Sequence, residues 1–171
     1  ALIKDIFLET DADTLFLTSN TARALPLLVQ LLPEAGIKPD KVQYIGLSRW
    51  DTPRQILELP GVQNGWFASP SREISASFVS RFTDEFGSPP HQLAGLSYDA
   101  LAAIGAMVAT GQRNALTKTA LTQTAGFQGV SGVFRLHSDG TNERALAIAK
   151  IENKKVELID PAPTSFGRIW F

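Results

Sequence analysis

The sequence predicts an α/β protein built on a parallel sheet flanked by helices, with a C-terminal antiparallel hairpin. Three observations carry this. Short apolar runs at 14–18, 42–47 and 65–68 read as strands buried on both faces. Helical patterns alternate with them, the order that produces right-handed crossovers and parallel pairing. After Pro70 the rhythm changes to amphipathic helices, and the last strand-like runs flank a polar turn, as in a hairpin.

Each element has its own reason. Leu2, Ile3, Ile6 and Phe7 fit one apolar face of a first helix, which Thr10-Asp11-Ala12-Asp13 breaks. After the strand at 14–18, Ser19 and Asn20 are good N-caps for a helix from about Thr21 to Ala35, stopped at Gly36. Pro26 either kinks that helix or marks its first turn. The second strand leads through Asp51-Thr52-Pro53 to a short helical stretch ended by Pro60-Gly61. Phe78, Phe82 and Phe86 fall four apart, an amphipathic helix that ends at Gly87. Ser97 caps an alanine-rich helix over Tyr98 to Ala109, and Asn114 caps another to about Thr122. Strands are expected at 133–136, 144–151 and 156–159, the last two joined by Asn153-Lys154-Lys155. There is no internal repeat and no low-complexity segment.

Composition narrows the function. Sixteen Lys and Arg against 17 Asp and Glu leave a formal net charge of −1, which offers no basis for binding nucleic acid or an anionic membrane. The absence of cysteine excludes disulfides, thiolate metal sites and cysteine nucleophiles. No apolar run approaches the roughly 20 residues of a membrane helix. The chain opens at Ala1 without methionine or a leader, so it is expected to be processed or a fragment.

Motifs for catalysis are missing. His91 and His137 lie in separate polar loops with no second ligand at metal spacing. There is no G-x-S-x-G elbow, no phosphate loop followed by lysine and no G-x-G-x-x-G after a strand. Asp84 and Glu85 are most simply the solvated face of their helix. No metal, no cofactor and no catalytic residue is therefore expected, and the chain reads as a binding module rather than an enzyme.

In open α/β sheets the ligand crevice lies outside the carboxyl ends of the strands. Ser19, Asn20 and Thr21 stand there after the first strand, offering hydroxyl and amide groups at a helix start. Ser48, Arg49, Trp50 and Asp51 follow the second, placing a guanidinium beside an indole, a usual pairing for a flat or carboxylate-bearing partner. Each also has a plainer reading: Ser19 and Asn20 as helix caps, Trp50 as a loop anchor buried in the core.

Several stretches, in order and spacing, resemble the second half of the leucine-binding-protein family of type I periplasmic binding proteins. They are Asp13-Thr14-Leu15-Phe16-Leu17, Gly65-Trp66-Phe67-Ala68-Ser69-Pro70, Phe78 through Phe86-Gly87-Ser88-Pro89-Pro90, Leu96 to Ala100, and Gly126 to Arg135, closed by Asp139-Gly140. Tyr44-Ile45-Gly46-Leu47, Arg49-Trp50-Asp51, Arg144 to Ile148 and Ile159 to Phe166 look most like a subgroup of penicillin-binding protein activators, lipoproteins that regulate peptidoglycan synthases.

The resemblance implies two lobes, each a parallel sheet between helices, with a ligand held between them. It implies that residues 1–69 belong to lobe two, that 70–73 cross between lobes, and that 74–171, with the hairpin, belong mainly to lobe one. Tyr98, in Tyr98-Asp99-Ala100, joins the candidate ligand-binding residues. Amino-acid-binding members grip the ligand's ammonium with an acidic residue after the second strand, where this chain has Arg49 and Trp50 with Asp51 displaced. The implied partners are a small polar ligand or a cell-wall synthase. The implied location is the periplasm, with an N-terminal lipid anchor outside this chain. The Phe78 stripe and the alanine-rich helix need a sheet to pack on. A swapped dimer or a missing N-terminal half is expected to cover them.

Overall fold

A computed structural model describes residues 2–47, 49–91 and 93–166. The chain forms two compact units, Ala1–Ser69 with Ile148–Asp160, and Pro70–Ala147 with Pro161–Phe171.

The first unit is a five-stranded sheet in the order β1-β2-β3-β6-β7. Strands β1 (Thr14–Leu17), β2 (Gln43–Gly46) and β3 (Trp66–Ser69) are parallel, as the alternation of strands and helices predicts. Helix α1 (Leu2–Thr10) precedes them. Phe7 packs on the core while Ile6 faces solvent; the side chains of Leu2 and Ile3 lie outside the described residues.

Helix α2 (Ala24–Glu34) begins three residues later than the sequence suggests, because residues 21–23 form a turn. Pro26 therefore falls in its first turn, where a missing N–H costs nothing. Leu25, Val29 and Leu32, spaced one helical face apart, are buried against the sheet. Two 3-10 turns, Arg54–Glu58 and Pro60–Val62, replace the single helical stretch expected before β3. Tyr44 of β2 is buried, and its hydroxyl donates to the Ile37 carbonyl. Burial, and then the negative charge of Asp40, push its phenol up to about 12.

Strands β6 (Ala147–Glu152) and β7 (Lys155–Asp160) form the antiparallel hairpin expected at the end of the chain. Its turn places Asn153 and Lys154 at positive φ, 50° and 62°, the two-residue geometry that matches strand twist. The sequence grouped this hairpin with the second segment, but it extends the first unit's sheet. Asn64 donates to the Ile151 carbonyl at 2.7 Å, and Ile151 donates to that of Gly65 at 3.1 Å. The burial alternation of β6, with Ile151 wholly buried, explains the choice: its apolar face completes the core on β3.

The second unit contains α3 (Arg72–Phe86), α4 (Ala94–Ala109), α5 (Lys118–Leu121) and a two-stranded antiparallel sheet of β4 (Phe134–Leu136) and β5 (Asn142–Arg144). The expected strand at 144–151 is thus divided between β5 and β6. Helix α4 starts four residues before Tyr98, with no side-chain cap, so Ser97 is not its N-cap. Helix α5 is capped by Thr117, whose Oγ1 accepts from the Ala120 N–H at 3.4 Å, and not by Asn114.

Phe78 is buried and stacks against Phe82 and Tyr98, with centroids 5.9 and 5.1 Å away, whereas Phe86 is 65% exposed. Along α4, Asp99, Ala103 and Met107 turn inward, and Ala103 and Met107 meet Phe127 and Phe134. Leu96, Leu101, Ile104 and Val108 remain exposed on the same helix.

Candidate functional site

The geometry of β1 and β2 sets the first candidate surface. Leu17 pairs with Gly46 in parallel register, and the Leu47 N–H donates to the Leu17 carbonyl. The loops that follow these strands therefore leave neighbouring strands at the same end of one sheet. Ser19, Asn20 and Thr21 stand on one, Arg49, Trp50 and Asp51 on the other; Ser48 lies outside the described residues.

These residues differ in what they have left to offer. Asn20 is exposed, but its Oδ1 accepts from the N–H groups of Arg23 at 3.0 Å and Ala24 at 3.4 Å. That is local capping of the turn into α2. Ser19 and Thr21 are half-buried beside it. Arg49 and Asp51 close on each other in a two-pronged ion pair, Nε to Oδ1 at 2.9 Å and one terminal nitrogen to Oδ2 at 2.7 Å. The hydrogen bond with Asp51 raises the Arg49 pKa; burial opposes it and the charge of Asp51 reinforces it.

Trp50 corrects the expectation that it lines this surface. It is 0% exposed and belongs to the core with Tyr44, Phe67 and Val62. A Cβ added at Gly46 would lie 2.2 Å from its indole, and one at Gly65 2.4 Å away. The ring is thus wedged against bare backbone where β2 ends and β3 begins, and the loop-anchor reading is the one its burial matches.

Tyr98 belongs to the second unit, half-exposed with its ring against Phe78. Its neighbour Asp99 was not singled out by the sequence and is the more constrained group. At 1% exposure, its Oδ1 accepts from the Val130 N–H at 2.6 Å and its Oδ2 from Arg144 at 2.7 Å. Arg144 also donates to the Gly132 carbonyl at 3.3 Å and lies over the Phe134 ring, 4.8 Å from its centroid. Buried charge paired on every side is a structural lock. The signal was present in Tyr98-Asp99-Ala100 and Arg144, but nothing in sequence spacing joins residues 45 apart.

Among the described residues no group of three His, Asp or Glu side chains is placed to hold a metal ion, and no helix is long and apolar enough to cross a membrane.

A sheet whose parallel strands end in loops of hydroxyl, amide and paired charge is the frame of an α/β ligand-binding domain. The chain belongs to the periplasmic binding protein family, whose profile matches residues 7–155. Members of this family are periplasmic binding proteins. Comparison with curated proteins finds no match.

Among solved structures the chain is similar to a protein from Rhodospirillum rubrum named for a branched-chain amino acid ABC transporter, with 21% identity and a TM-score of 0.72 over 92% of this chain and 47% of that one. It is similar to the leucine binding protein LivK of Thermotoga maritima, with 16% identity and a TM-score of 0.60 over 94% and 47%. It is also similar to the C-domain of LpoA from Haemophilus influenzae, a regulator of PBP1A, with 15% identity and a TM-score of 0.55 over 92% and 48%. The chain spans about half the length of these structures. They share its fold, and both kinds of relative that the sequence resembles are among them.

Proposed function

We propose that this chain is part of a non-catalytic binding module of the cell envelope that regulates a peptidoglycan synthase. The observation that supports this reading is the loop after β2. Its indole is committed to the core, and its one acidic group is neutralised by Arg49 two residues away. A receptor that grips an ammonium group needs an uncommitted carboxylate at that place; this loop presents a closed ion pair instead. In this reading the site residues Ser19, Asn20, Thr21, Arg49 and Asp51 form part of a protein-facing surface. A lipid on a preceding segment holds the module at the membrane, so the natural protein should partition into a detergent phase; recovery in the aqueous phase would argue against the anchor.

Calorimetric titration of the natural protein separates this from the alternative, a solute receptor for an amino acid or similar small polar molecule. A regulator binds a purified bifunctional peptidoglycan synthase and gives no heat with leucine, isoleucine or glutamate. Saturable binding of one of these with none to the synthase would reverse the assignment. The exposed Asn20, on the loop after β1, favours the second reading enough to define its test. In a receptor, Arg49→Ala weakens an anionic ligand severalfold. The pair is partly solvated, so its loss should change stability by no more than about 1 kcal/mol.

The exposed apolar side chains of α3 and α4 belong to the same proposal. Phe86 and Leu101 are 65% and 71% exposed. Each apolar side chain of this size gains about 1.5–3 kcal/mol when fully buried. We infer that a second copy of the chain, or further residues of a longer protein, covers these side chains. Light scattering on the isolated 171 residues should therefore find association; a monodisperse monomer with one cooperative unfolding transition would remove the inference.

A further inference from the structure

The first unit holds a cavity of about 530 Å3 between α2, the segment at 38–40 and the turn at 59–61. Those two segments precede the amino ends of β2 and β3, whereas the candidate residues Ser19–Thr21 and Arg49–Asp51 follow carboxyl ends and do not line it. The cavity is therefore not the crevice where an α/β sheet is expected to hold its ligand.

The sequence explains its walls. Pro26 and Pro33 are seven residues apart in α2, close to two full turns, so both rings stand on one side of the helix with Val29. Pro39, Leu59 and Pro60 complete the apolar lining. Proline has no N–H, so four of the lining residues give rigid C–H surface and no backbone donor. An ion entering these walls would lose hydration with little to replace it, and an unanswered buried charge is costly. Lys38 and Asp40 also line the cavity, but both are exposed and their charges can stay in water.

One acceptor remains. In an unbroken helix the N–H of residue 33 donates to the carbonyl of residue 29, and Pro33 has none to give. The later carbonyls of Leu31, Leu32 and Pro33 accept from Ala35, Ile37 and Gly36. The Val29 oxygen instead lies against the bare Cα of Gly61, where a Cβ would stand 2.1 Å from it, so no side chain at 61 covers it. Val29 and Gly61 both line the cavity.

We propose that this cavity binds a small uncharged molecule with an apolar body of about two rings and one hydroxyl or N–H donor. The body lies among the prolines and Leu59, and the donor meets the Val29 carbonyl. The dimensions agree, since small-molecule sites measure about 300–1,000 Å3 with mostly apolar walls and a few polar groups.

Four probes with one naphthalene body test this. 2-Naphthylmethanol carries the donor, its methyl ether lacks it, 2-naphthoate is an anion and 2-naphthylmethylammonium a cation. Each is titrated calorimetrically into the natural protein. The alcohol should saturate. The ether should bind about threefold to tenfold more weakly, the range of one hydrogen bond. Both ions should bind at least about tenfold more weakly, because the walls do not answer their charge. Gln30→Trp, at an exposed lining position, should fill the cavity and abolish binding of the alcohol. Lys38→Ala and Asp40→Ala should each leave its affinity within about twofold. If Gln30→Trp does not fold, the comparison of the four probes on the natural protein decides. No saturable heat with the alcohol, equal affinity for alcohol and ether, tighter binding of either ion, or unchanged binding by folded Gln30→Trp would each overturn the proposal. The probes are neither amino acids nor proteins, so these outcomes are distinct from those that separate a synthase regulator from a solute receptor.

Discussion

Asp99→Ala should destabilise the protein by about 3–5 kcal/mol, the cost of removing one partner from a buried ion pair. The substitution strands two groups at once. Arg144, whose side chain is 16% exposed, keeps its charge and loses its carboxylate. The Val130 N–H loses its acceptor, and the contact that ties α4 to the 129–132 segment and to β5 disappears. Asp99→Asn keeps the shape and the acceptor for Val130 but turns an NH2 group toward Arg144, so it should recover only part of the loss. The double replacement Asp99→Leu with Arg144→Met removes both charges. It should be far milder than Asp99→Ala, since apolar side chains often replace a buried pair at little cost. Urea unfolding of the four proteins measures this order. A loss below about 1 kcal/mol for Asp99→Ala would mean the pair is solvated and locks nothing.

This lock marks the limit of what the sequence makes legible. The parallel strands were readable because each is a local apolar run, and the period of such runs is set within a few residues. The hairpin was readable for the same reason, since the polar turn Asn153-Lys154-Lys155 separates two strand-like runs, although Lys155 pairs with Glu152 and leaves a turn of two residues. Its place in the first sheet was not, because pairing with β3 joins residues 64 and 65 to 151 and leaves no local trace. Helix starts drifted wherever a polar residue looked like a cap. Asn20 caps the preceding turn, so α2 waits until Ala24, and Ala94 begins α4 without any side-chain cap. The candidate site was legible as a place, the ends of β1 and β2, because parallel register dictates it. It was not legible as chemistry. Whether Asp51 is available depends on Arg49 folding back onto it, and whether Trp50 faces water depends on two glycines, 46 and 65, that lie far apart in sequence.

Those glycines make Trp50 the second residue whose replacement should have a large effect. Trp50→Ala empties the space between β2, β3 and Val62, and a large-to-small change of an aromatic core residue costs about 3–5 kcal/mol. Trp50→Phe should cost much less. It keeps an aromatic ring in the core, and the indole N–H that it removes has no hydrogen-bond partner among the described residues. Gly46→Ala should be nearly as damaging as Trp50→Ala, because its new methyl group would stand 2.2 Å from the indole and the strand cannot retreat without breaking its pairing with β1. The decisive comparison is the pair together. With Trp50 already replaced by alanine, the methyl at position 46 enters empty space, so Gly46→Ala should then be almost neutral or slightly stabilising. Denaturant midpoints of the two single variants and the double variant give the coupling directly. Additive losses would show that Trp50 and Gly46 do not touch, and the loop after β2 would again be free to turn its indole toward a ligand.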